Sequence, residues 1–141
     1  MASKHLIEKV RPRELTLDEE GALFGEDDVF DMVNLMKEDT GIEGVVFIST
    51  NMPKLPHGPR VKYFEKTGRD QPSFSVSIDL NPMVVASSLP ERVVRRVSPQ
   101  VIDWVSLNRA ALLEFWNDGA LWPRSKLAQF LEGGLAKLPQ R

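Results

Sequence analysis

The chain has 141 residues and no cysteine, with 42% apolar and 27% charged residues and a formal net charge of -2. That length fits one domain with one core. The lack of thiols excludes disulfides, thiolate metal sites and cysteine nucleophiles together, and His5 and His57 alone are too few for a zinc centre, so neither metal nor cofactor is expected.

The small net charge hides a separation. Residues 1–13 carry four bases and one acid, residues 14–43 eleven acids and one base, and residues 44–141 thirteen bases and eight acids. A mildly basic body therefore bears a strongly acidic N-terminal segment. No apolar run approaches the ~20 residues that span a bilayer, and the first residues lack a signal-peptide apolar region. The expectation is a cytoplasmic protein with no membrane segment.

Residues 1–22 show no sustained period and place Pro12 amid mixed charge, which predicts a loosely held N-terminal arm with a short strand near 14–17. One α+β domain is expected over 23–141. Within it, 27–37 reads as a helix: Val29, Met32, Val33 and Met36 form a stripe, and Asp27, Asp28 and Asp31 suit a helix start. Residues 44–50, a short apolar run, predict a strand covered on both faces. Residues 51–59 hold Pro53, Pro56, Gly58 and Pro59 and predict a loop.

Residues 60–66 alternate, with Val61 and Tyr63 on one side and Arg60, Lys62 and Phe64 on the other. A turn at 67–71 leads into a second alternating strand. There Phe74, Val76, Ile78 and Leu80 face one way, and Ser73, Ser75, Ser77 and Asp79 face water. A fourth strand is predicted at 83–86.

Ser88-Leu89-Pro90-Glu91 has capping-box spacing and predicts a short helix to Val97, burying Val93, Val94 and Val97 while Arg92, Arg95 and Arg96 stay wet. Ser98 and Pro99 then read as the start of a new, long helix over 98–117. Its stripe is Val101, Trp104, Val105, Ala111, Leu112, Phe115 and Trp116. Asn108 interrupts that stripe and is expected to tie the helix to neighbouring backbone. Gly119 suits a left-handed stop. A last apolar patch at 123–132 offers Leu127, Phe130 and Leu131, with Trp122 expected against Phe130. Short hairpin links force antiparallel pairing, so the predicted fold is α+β, an antiparallel sheet of about four strands with helices packed on one face.

The run 44–50, the three-proline loop, Leu89-Pro90-Glu91-Arg92, and Trp104 with Leu112, Leu113 and Trp116 together resemble a small bacterial domain-of-unknown-function family. That family is sometimes encoded in toxin-antitoxin-like gene pairs. The resemblance covers roughly half the chain and implies the same strand, loop, strands and long-helix order. Where the family carries Pro-His-x-His, this chain has His57-Gly58-Pro59-Arg60. A single histidine remains, and no two-histidine chemistry carries over.

Two basic clusters are candidate sites. His57, Arg60 and Lys62 lie close in sequence, with Arg60 and Lys62 on one strand face beside the serines, where a guanidinium fork suits phosphate or carboxylate. Arg92, Arg95 and Arg96 share a helix surface. The alternative for both is an ordinary solvated face. The field is too small for nucleic-acid binding, which is disfavoured. The acidic segment is expected to dock back onto the body. No serine has a nucleophile-elbow context, and no phosphate-loop pattern appears.

The leading expectation is a non-catalytic protein-binding module that uses these six residues toward a protein partner. The alternative is a small enzyme or nuclease-like protein in which His57 is acid or base and Arg60 and Lys62 hold an anionic ligand.

Overall fold

Antiparallel pairing follows from the connections between neighbouring strands, none long enough to hold a crossover helix. The computed structural model describes residues 13–21, 32–51 and 57–139. Five strands, β1 (Met32–Leu35), β2 (Val45–Ser49), β3 (Arg60–Phe64), β4 (Ser73–Ser77) and β5 (Val84–Ser87), pair in chain order as one open meander. The helices are α1 (Leu17–Gly21), α2 (Lys37–Thr40), α3 (Glu91–Asp118) and α4 (Arg124–Gln129). The fold is α+β, with one strand more than expected.

Register decides the two faces. Val46 opposes Tyr63 and Tyr63 opposes Phe74, which puts these side chains with Ile48, Val61 and Val76 on an inner face. Phe47 opposes Lys62 and Lys62 opposes Ser75, on an outer face with Val45, Phe64 and Ser73. All five residues of β2 are buried, as a strand covered on both sides must be.

The inner face is closed by α3. Its buried positions Val93, Val94, Val97, Val101, Trp104, Val105, Asn108, Leu112, Phe115 and Trp116 recur at three- and four-residue steps over 28 residues. The stripe explains a correction: the two helices expected to meet at Ser98 are one, with Pro99 inside it. Proline removes one backbone bond there, but it sits on the exposed side, and the apolar stripe stays in phase across it.

The Ser88 capping box does not form either. Pro90 occupies the cap position, and the Ser88 hydroxyl instead accepts the Ser73 amide at 3.1 Å. Gly119 continues right-handed into a tight turn over Gly119–Leu121. Its role is close approach, because a Cβ there would lie 2.5 Å from Phe115 and 2.8 Å from Thr50.

Asn108 behaves as expected. Its amide donates to Trp104 O at 3.0 Å and Ala136 O at 2.9 Å, and its carbonyl oxygen accepts the Ala136 amide at 2.6 Å, tying the C-terminal segment to α3. Beyond α4 and the wider turn Phe130–Gly134, Phe130 stacks on Phe115 at 4.9 Å and meets Trp122 edge-on at 5.2 Å. No helix among the described residues is long and apolar enough to cross a membrane.

Two N-terminal expectations are corrected. Residues 32–35, expected as part of the 27–37 helix, form β1; the start of that expected helix, 27–31, lies outside the described residues. Val33 and Leu35 meet Ile48 and Val46 on the inner face, so period two wins over period 3.6 through long-range pairing with β2. Among residues 32–41, helix appears only in α2, which Gly41 ends at φ 83.

Residues 14–17, expected as a strand, lead instead into α1. There Thr16 Oγ1 accepts the Glu19 amide at 3.1 Å and Glu19 accepts the Thr16 amide at 3.0 Å. That bond from the Thr16 amide is the main reason the Glu19 carboxyl titrates below its ordinary range. The arm's first twelve residues and loop positions 52–56 also lie outside the described residues.

Candidate functional site

The outer face of β3 and β4 carries the densest polar chemistry in the described chain. Alternation aims Lys62 away from the helix, and the register sets it between Phe47 and Ser75. Lys62 is nonetheless 3% exposed, because Glu14, also 3% exposed, lies against it. One oxygen of the Glu14 carboxylate accepts from Lys62 Nζ and the other from the Ser75 hydroxyl. Phe47 and Phe64 pack edge to face at 6.3 Å beside them, and Leu17 covers these two rings and Val45.

Ser73, on the same face two residues before Ser75, buries a hydroxyl with no hydrogen-bond partner among the described residues. Asp18 fixes the next turn of the segment. Its amide donates to Arg69 O at 3.1 Å, and its carboxylate accepts from Arg69 Nε at 2.8 Å. The acidic run thus meets Lys62 of β3 through Glu14 and Arg69 of the β3–β4 turn through Asp18. The serine-lined face, expected to be wet, is covered at Ser73 and Ser75. Alternation says which way a side chain points, not what lies over it.

His57 belongs elsewhere. Its Nδ1 lies 3.0 Å from Gly58 O, and its ring sits 6.2 Å from that of Trp116, near the C-terminal end of α3. There the Asn51 amide donates to Trp116 O at 2.8 Å. His57 is therefore beside the C-terminal end of α3, whereas Lys62 lies under Glu14 on the outer face. Arg60 opens β3 opposite Ser77, on the Lys62 face and half-buried.

The arginines of α3 form a third place. Arg92, Arg95 and Arg96 are exposed on its first turns; Arg95 lies 3.8 Å from Glu91 and Arg96 lies 3.7 Å from Glu65, just past the end of β3. From Arg96 to Trp116 the helix runs about 30 Å, at ~1.5 Å per residue. The six candidates thus occupy separate regions: His57 at one end of α3, the three arginines at the other, and Lys62 with Arg60 across the sheet.

A further open cleft, about 550 Å³, is bounded by Asp79, Leu80, Met83, Arg109 and Leu113. Sequence reasoning missed Glu14 as the partner of Lys62. The Thr16-Leu17-Asp18-Glu19 spacing was a readable signal that the arm turns helical, but nothing local marks Glu14 for burial against residues 48 and 61 positions away.

No protein-family model, curated protein or solved structure matches the chain. Its own geometry carries the functional argument. A catalytic triplet of His57, Arg60 and Lys62 would need those side chains to converge on one substrate. His57 instead packs beside Trp116 at the C-terminal end of α3, whereas Lys62 is bonded to Glu14 on the outer face of β3.

Proposed function

We propose that the protein is a non-catalytic binding module of the bacterial cytoplasm, one member of a toxin-antitoxin-like gene pair, which presents the first turns of α3 to an acidic surface on its partner. The observation that carries this reading is the trio Arg92, Arg95 and Arg96. All three are exposed, and the ion pairs of Arg95 and Arg96 are long enough to be exchanged at little cost. Arginine suits such an interface because its planar fork pairs with carboxylates in two-bond geometry. The enzyme alternative draws no support from a histidine packed beside Trp116 and a lysine paired with Glu14.

The test is co-purification with the product of the neighbouring gene. Combined Arg92→Glu, Arg95→Glu and Arg96→Glu should weaken the complex by at least about a hundredfold, chiefly through charge reversal, while His57→Ala leaves it intact. A complex that survives the triple reversal, or one lost on His57→Ala alone, would sink the reading.

A further inference from the structure

The Glu14 pocket does not look like a stability device. Removing an ammonium and a carboxylate from water costs free energy that their mutual attraction roughly offsets, and an apolar pair would fill the same space at least as well. What the outer face does possess is directional: the Lys62 ammonium and the Ser75 hydroxyl address the two oxygens of one carboxylate, and Leu17 seats on Val45, Phe47 and Phe64 three residues further along. The occupant comes from a short segment that is also attached through the two bonds of Asp18 to Arg69, whose side chains are exposed.

We infer that the outer face of β3 and β4 is a receptor for an acidic segment of a partner protein with the pattern Glu-x-x-Leu, and that residues 13–21 occupy it in cis as a displaceable strap. The carboxylate fills the Lys62–Ser75 site and the leucine fills the adjoining apolar groove. Arg69 receives an acid one residue beyond the leucine, as it receives Asp18. This surface is distinct from the arginines of α3, so either proposal can fail alone.

The experiment uses the full chain and a fluorescent, end-blocked peptide of residues 13–21, read by anisotropy. A tethered segment competes at an effective concentration near millimolar, so removing its carboxylate should raise peptide affinity at least about tenfold in Glu14→Ala over the native chain. The same peptide carrying Glu14→Gln should lose that gain, as should Lys62→Met placed in the Glu14→Ala chain. Should Glu14→Ala not fold, Leu17→Ala with Asp18→Ala loosens the strap while keeping the buried pair, and it must also bind the native peptide more tightly than the unaltered chain. A folded variant that binds no better than native, that accepts both peptides equally, or that takes inorganic phosphate but not the peptide overturns the proposal.

Discussion

The two faces of the sheet are built from the same strands and closed by different physics. On the inner face, Trp104, Val101, Val105 and Phe115 of α3 are fully buried against Val61, Phe74 and Val76. Each fully buried large apolar side chain there contributes roughly 1.5 to 3 kcal/mol, with little demand on direction. On the outer face, the segment 13–21 is attached among the described residues through the Glu14 carboxylate, the Leu17 side chain, and the amide and carboxylate of Asp18 on Arg69. The first cover is broad and non-directional; the second depends on a few atoms in the right place. The helix therefore defines the fold, whereas the strap can leave without taking the fold with it.

The comparison breaks most sharply at its inner side. Trp104→Ala should cost about 3 to 5 kcal/mol in urea unfolding, because it opens a cavity that the sheet and helix cannot collapse around. A loss under about 1 kcal/mol would mean that α3 does not carry the core.

On the outer face the sign should depend on the partner. Lys62→Ala leaves Glu14 buried without its cation and should cost about 3 kcal/mol, less whatever is recovered when the strap swings out into water. Lys62→Met with Glu14→Leu should return stability to within about 1 kcal/mol of the native chain. A double variant as damaged as the single would show that the pair stabilises in its own right.

Asn108→Ala removes three hydrogen bonds to Trp104 and Ala136 and should cost about 2 kcal/mol. It should also expose the residues after Phe130 to proteolysis while leaving the sheet protected.

The smallest effect belongs to Tyr63, whose hydroxyl donates to Glu43 O at 2.8 Å. Burial, aided by Glu65 and Glu43 and opposed by Arg96, raises its phenol above the ordinary 10.0. The folded state thus favours the neutral phenol. Its contribution is complete below about pH 10 and is lost as pH climbs through the raised value. Tyr63→Phe should cost about 1 kcal/mol at neutral pH and flatten that alkaline decline.

The inner face was legible in sequence because its signals are periodic. The stripe from Val101 to Trp116 and the alternation at Val61, Tyr63, Phe74 and Val76 each repeat often enough to fix an element and its buried side. β1 was not legible: four residues with apolar side chains at 32, 33 and 35 fit either period, and pairing with β2 decides. Pro99 misled for the opposite reason, a strong local breaker overruled by a stripe running past it. At the candidate site, the direction of Lys62 was readable from alternation, but its burial was not. That burial depends on Glu14, and no local pattern couples two residues so far apart in the chain.

Native-state amide hydrogen exchange of the full chain tests the independence of the two covers most directly. The Asp18 amide, bonded to Arg69 O across the outer face, should exchange through a local opening at least about a hundredfold faster than the amides of Trp104 and Val105. Glu14→Ala should raise exchange at Asp18 and leave the amides of Trp104 and Val105 unchanged. If Asp18 and Trp104 exchange with the same opening free energy, strap and core open as one unit, and the separation of the two faces is wrong.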